Sequence, residues 1–247
     1  MSSELTRRTV LRSTAVAGLL TVGGGLLFAG PAAAAEQEPG RPALQEAEQA
    51  QQNVRNVRQS ANGWQMENAV DAAGAVWTRP IPGTAARPAV RIGWVETVLV
   101  HVAQRFHYEI AELRADEVVG WRPPQEVRST DSPESNQASG TALALRPGCY
   151  PPGVRGGFYP YEVLVIRDIL AELDGVVAWG GDDPTPVESL FSIAVPPGDE
   201  RLKTVAERIR GWSEEPGAGA GSPVDVLADG RRRAAERLEQ HQRETAG

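Results

Sequence analysis

Cysteine, histidine and aromatic residues are all scarce in this 247-residue chain. The single cysteine, Cys149, excludes an internal disulfide, and it stands too far from the N-terminal segment to be a lipid-attachment site. The three histidines cannot form an obvious metal cluster. His101 and His107 are six residues apart and fall on different faces of a helix, while His241 belongs to the tail. Each reads as an ordinary surface or packing histidine. The apolar run Ala15 to Phe28 is short and Gly-rich, and no other segment is apolar for long enough to cross a bilayer. Positive charge is also in deficit, with a net formal charge of -7. An acidic chain without a basic face is a poor partner for nucleic acid or other polyanions.

The N-terminus carries the clearest address. Thr6-Arg7-Arg8-Thr9-Val10-Leu11-Arg12 precedes the apolar run, and Pro31-Ala32-Ala33-Ala34-Ala35 supplies small residues for cleavage near Ala34 or Ala35. This is the pattern of a twin-arginine export signal over residues 1–35. It predicts a folded cargo that is secreted or wall-associated, with no membrane span once the signal is removed. Losing that segment, with its three arginines and one glutamate, takes the charge from -7 to -9.

Residues 36–61 are polar and nearly free of aromatics, as a spacer would be. Aromatic and branched residues then run from Trp64 to Trp212, defining a domain at 62–213. Beyond it lie a Gly/Ala-rich linker and a charged tail, 214–247, whose pattern predicts a solvated or disordered helix. Within the domain, Val95, Leu99, Val102 and Phe106 predict a helix over 93–107. Val163, Ile166, Leu170 and Leu173 predict a second, stopped by Asp174-Gly175. Asp199 would cap a third, carrying Leu202, Val205, Ile209 and Trp212. Strands are expected at 108–113, 118–121, 141–146, 176–179 and 190–195. The mixed order implies an α+β fold, with helices packed on one small, mostly antiparallel sheet.

Four short motifs then align in order. They are Gly120-Trp121-Arg122, the stretch Asn136 to Leu145, Val177-Ala178-Trp179-Gly180-Gly181-Asp182, and Glu188-Ser189-Leu190-Phe191. Together they resemble the zinc D-alanyl-D-alanine carboxypeptidase and dipeptidase family, which has the Hedgehog/DD-peptidase fold. In that family two histidines and an aspartate hold zinc, an acidic residue is the general base, and an arginine steadies substrate or oxyanion. The resemblance carries Arg122, Ser139, Trp179 and Asp182 over as substrate-site residues and Glu188 as the base position. At the three ligand positions stand Gln137, Ala144 and either Leu190 or Phe191. An amide, a methyl group and hydrocarbon do not make the three-ligand site that catalytic zinc requires. Without a metal-bound water, Glu188 is a remnant.

The motif residues also have plainer readings. Arg122 is either a cleft arginine gripping a carboxylate or phosphate, or an exposed side chain bonded to a local acid. Ser139 to Ala142 reads as a tight turn on the sheet, and Trp179 to Asp182 as a turn holding the cleft wall. Ser139 has no neighbouring histidine to activate it, and Cys149 reads as a half-buried loop thiol. Asp182, Asp183 and Glu188 could supply oxygen ligands to calcium or magnesium, a minor alternative. The resemblance therefore implies a degenerate, non-catalytic relative (a pseudoenzyme) that binds peptidoglycan stem peptides or a cell-wall protein. No cofactor is expected. The competing expectation is an active carboxypeptidase whose zinc ligands lie outside the motif.

Overall fold

Strand alternation decides which side chains of this domain meet the core and which meet the site. In the computed structural model, which describes residues 58–245, four strands form an antiparallel sheet. The signal segment and nearly all of the polar spacer lie outside the described residues. A two-stranded pair comes first, β1 (Val76–Thr78) and β2 (Ala89–Arg91). Helix α1 (Trp94–Glu109) follows, then β3 (Val118–Val119) and β4 (Ala142–Leu145). Helix α2 (Pro160–Glu172), β5 (Val177–Trp179), β6 (Leu190–Ile193), α3 (Glu200–Glu214) and α4 (Asp229–Thr245) complete the order. The larger sheet has the order β3-β4-β6-β5. The fold is α+β.

One face of that sheet packs on the helices. Leu143 and Leu145 of β4 and Phe191 and Ile193 of β6 are fully buried with Val98, Leu99, Val102 and Phe106 of α1. Removing each such side chain from water stabilises the fold by roughly 1.5–3 kcal/mol. The intervening residues Ala142, Ala144 and Leu190 point to the other face, where they meet Val187 and Val119 in a small separate cluster.

Two glycines join the two-stranded pair to the sheet. A Cβ on Gly120 would stand 2.2 Å from the Ala89 carbonyl oxygen, and the neighbouring Trp121 N–H donates to that same oxygen at 2.8 Å. Gly140 adopts φ +70°, a left-handed conformation, and its carbonyl accepts the Arg91 N–H at 2.8 Å.

Helix ends follow local chemistry. Asp199 Oδ1 accepts the Arg201 N–H at 2.9 Å, as an N-cap should. Asp174 and Gly175, both at positive φ, close α2. The expected strand at 108–113 is replaced by the last residues of α1 and a turn. Ile110 and Ala111 N–H groups return to the Phe106 carbonyl, and the His107 ring Nδ1 accepts the Leu113 N–H at 2.9 Å. Those bonds use donors that a strand would have offered to the sheet.

The tail also departs from the solvated helix expected of it. Val226 is buried in the main core, and α4 lies along α2. Arg231 of α4 bonds Asp168 through Nε and Nη2, both at 2.6 Å, and Glu172 at 3.0 Å. Arg105 of α1 reaches the same two carboxylates and Glu109. His101 Nε2 lies 3.0 Å from Glu172, and its ring packs against Trp212 at 5.6 Å. Three helices thus share one ion cluster. Burial pushes the Glu172 carboxyl up, but His101, Arg105 and Arg231 outweigh it and hold the group down at about 2.

Candidate functional site

The face of the sheet turned away from the helices floors a cavity of about 590 Å³. Ala144 and Leu190 stand opposite each other in the β4–β6 register and both line it. Of the two candidates for the third motif position, Leu190 faces this cavity and Phe191 does not. Phe191 points into the helix-side core, edge to face with Phe106 at 6.3 Å. Gln137 ends a 3-10 turn, Pro133–Gln137, and enters the same cavity wall. Its Nε2 donates to the carbonyls of Val119 at 3.2 Å and Gly120 at 2.9 Å. Two acceptors on one side of the amide fix which end is nitrogen.

Arg122 completes the grouping. The chain leaves β3, passes Gly120 and Trp121, and enters a short 3-10 turn at Pro124–Glu126, which places Arg122 at the cavity edge. Its side chain is exposed, and among the described residues none bonds its guanidinium. Arg128, Glu126 and Glu134 line the rim beside it. Asp183 lies near Glu134 and is pushed up to about 6, first by burial, then by the charges of Asp182 and Glu134, with Arg155 opposing.

The remaining motif residues go elsewhere. Ser139 is sealed in a hydroxyl network with Ser60 Oγ at 2.9 Å, Thr141 Oγ1 at 2.8 Å and the Asn136 carbonyl at 2.9 Å. Glu188 is buried, and its two carboxylate oxygens accept the N–H groups of Gly156 at 2.6 Å and Gly157 at 2.8 Å. Trp179 Nε1 donates to the Glu188 carbonyl at 2.7 Å. Arg167 holds both carboxylate oxygens of Asp182 and lies over the Trp179 ring at 5.2 Å. Trp179, Asp182 and Glu188 thus surround a second depression of about 390 Å³, shared with Arg155 and Arg167. Cys149 is exposed and not half-buried, because its loop stands off the sheet.

Motif reading alone did not single out Ser189, Glu134, Arg128 or Arg155. Ser189 borders the cavity at the start of β6, beside Leu190. The others depend on loop paths that no periodicity encodes.

The donor set does not suit zinc. At the three motif positions only Gln137 offers a lone pair, while Ala144 and Leu190 present hydrocarbon. Of the carboxylates proposed for calcium or magnesium, Asp182 is committed to Arg167 and Glu188 to the Gly156 and Gly157 amides. Among the described residues no group of three or more His, Cys, Asp or Glu side chains is placed to hold a metal ion. No family model, no curated protein and no solved structure matches this chain.

Proposed function

We propose that this is an exported, non-catalytic relative of the zinc D-alanyl-D-alanine peptidases, with the Hedgehog/DD-peptidase fold. It uses the 590 Å³ cavity to bind the carboxylate end of a peptidoglycan stem peptide. One observation carries the reading. Four residues from three of the motifs, Arg122, Gln137, Ala144 and Leu190, line a single cavity. An exposed arginine that no described residue bonds suits a terminal carboxylate, which it can hold by two parallel hydrogen bonds. The hydrocarbon of Ala144 and Leu190 supports binding and offers nothing to activate water. The export signal supports an extracytoplasmic wall ligand, and among the described residues no helix is long and apolar enough to cross a membrane.

Calorimetric titration of the mature protein with acetyl-D-alanyl-D-alanine tests this. Saturable binding is expected, weakened about 30-fold or more by Arg122→Ala. Equal affinity in both proteins would remove Arg122 from the site. One equivalent of tightly held zinc, together with chelator-sensitive cleavage of a muropeptide, would replace the reading with that of an active hydrolase.

A further inference from the structure

One short segment, residues 58–67, bonds to both stretches of chain that wall the 590 Å³ cavity. It starts inside the stretch whose composition suggested a spacer. It closes on itself, with the Ser60 N–H on the Trp64 carbonyl and the Met66 N–H on the Arg58 carbonyl, both at 2.9 Å. On the Arg122 side, Arg58 Nη1 donates to the Pro124 carbonyl at 3.2 Å, and the Glu67 carbonyl accepts Trp121 Nε1–H at 3.1 Å. Those two partners bracket Arg122 in the chain. On the Gln137 side, the Ala61 N–H donates to Ser135 Oγ at 2.8 Å and the Asn62 N–H to Asn136 Oδ1 at 3.1 Å. The Glu67 N–H donates to the Ala138 carbonyl at 2.9 Å, so these bonds flank Gln137. Asn62 also anchors the segment to the sheet, its Nδ2 donating to Thr141 Oγ1 at 2.8 Å and to the Ile193 carbonyl at 2.9 Å.

Both walls contain short 3-10 turns, Pro124–Glu126 and Pro133–Gln137. Such turns have poor internal hydrogen-bond geometry and sit in loops, so bonds from elsewhere must fix where they stand. Gln137 provides two of these through the Val119 and Gly120 carbonyls. Residues 58–67 add bonds to both walls at once. A guanidinium holds a carboxylate well only when two parallel bonds align, so a small shift of Arg122 against the opposite wall weakens the grip. We infer that residues 58–67 are a strap that sets the spacing of the two walls. Arg58 is a positioning residue for Arg122, and Asn62 for the turn that carries Gln137. Neither Arg58 nor Asn62 lines the cavity itself. This inference rests on the peptide-binding reading of the cavity.

Two measurements on the mature protein read the strap, one with ligand and one without. Arg58→Met removes the bond to Pro124 from an exposed side chain, so the fold should survive with Tm lowered by less than about 4 °C. Its affinity for acetyl-D-alanyl-D-alanine should fall about threefold to tenfold. Arg58→Lys, which can still donate to that carbonyl, should recover most of the loss. In the Arg122→Ala background, Arg58→Met should change affinity by less than about twofold, because the side chain it positions is gone. Without ligand, Asn62→Ala should speed amide hydrogen exchange at Ala138, Gly140 and Thr141, whose N–H groups close the motif turn. Exchange at Leu99 and Val102 of α1 should stay as it was. The Arg58 series alters nothing inside the core, so misfolding of Asn62→Ala does not spoil the test.

Unchanged affinity in Arg58→Met, with binding still weakened by Arg122→Ala, would overturn the role of Arg58 and spare the cavity. A full-sized Arg58 effect in the Arg122→Ala background would make it independent of Arg122 and overturn positioning. Unaltered exchange at the three turn amides would overturn the role of Asn62. Failure of the wild-type protein to bind the probe, with exchange responding as expected, would end the peptide-binding reading and reduce the strap to a structural clasp.

Discussion

Arg105 and Asp168 meet at 2.8 Å between α1 and α2, with their side chains only 1% and 4% exposed. Deleting one charge of such a pair leaves the other in a medium that solvates it poorly. Arg105→Met strands Asp168 and weakens the hold on Glu109 and Glu172. It should lower unfolding free energy by about 3–5 kcal/mol in urea titrations. A loss below 1 kcal/mol would show that water reaches the cluster.

Glu172 makes the same cluster sensitive to acid. Its folded-state value of about 2 lies below the ordinary 4.5, so its contribution is complete above pH 4.5. The contribution disappears as pH falls from 4.5 towards 2, and it is on the order of 3 kcal/mol. Urea midpoints measured across that interval should fall more steeply for the native protein than for Glu172→Gln. Parallel slopes would contradict the assignment.

Asp183 has the opposite sign. Its value is raised from 3.8 to about 6, so ionisation in the folded state costs stability as pH climbs through that window. Asp183→Asn should therefore be the more stable protein at pH 7 and above. The group is only half-buried, and solvent screening limits the gain to about 1 kcal/mol. Below pH 4 the two proteins should melt together.

Gly140→Ala probes the junction between the strand pair and the sheet. The added Cβ would lie 2.6 Å from Val76 Cγ2 and 2.8 Å from the Arg91 nitrogen, on a backbone at φ +70°. The substitution should cost more than about 1 kcal/mol, read as a lowered Tm. Gly148→Ala, where a Cβ meets nothing within 4 Å, should be neutral beside it.

Much of the secondary structure was legible because period and punctuation agree. The stripe from Val95 to Phe106 marks α1, Asp174-Gly175 ends α2, and Asp199 starts α3. β1 and β2 escaped notice because three residues are too few to show alternation. The segment 108–113 misled because apolar residues after a helix look the same whether they turn or extend. Motif order had grouped Arg122, Gln137, Ala144 and either Leu190 or Phe191, and the first three line one cavity together with Leu190. Which of Leu190 and Phe191 faces that cavity needed the register of β6 against β4. The ion cluster had no sequence signature: Arg105 and Asp168 are 63 residues apart, and their meeting depends on how helices pack. For the same reason the separation of Trp179, Asp182 and Glu188 from Arg122 could not be read in advance.

The docking of Val226 and Arg231 has a practical result for handling the protein. A protease that cuts between Gly217 and Gly221 would break the covalent path to the C-terminal stretch. Val226 would still sit in the core and Arg231 would still grip Asp168, so the severed piece should travel with its parent through gel filtration as a nicked, two-fragment particle.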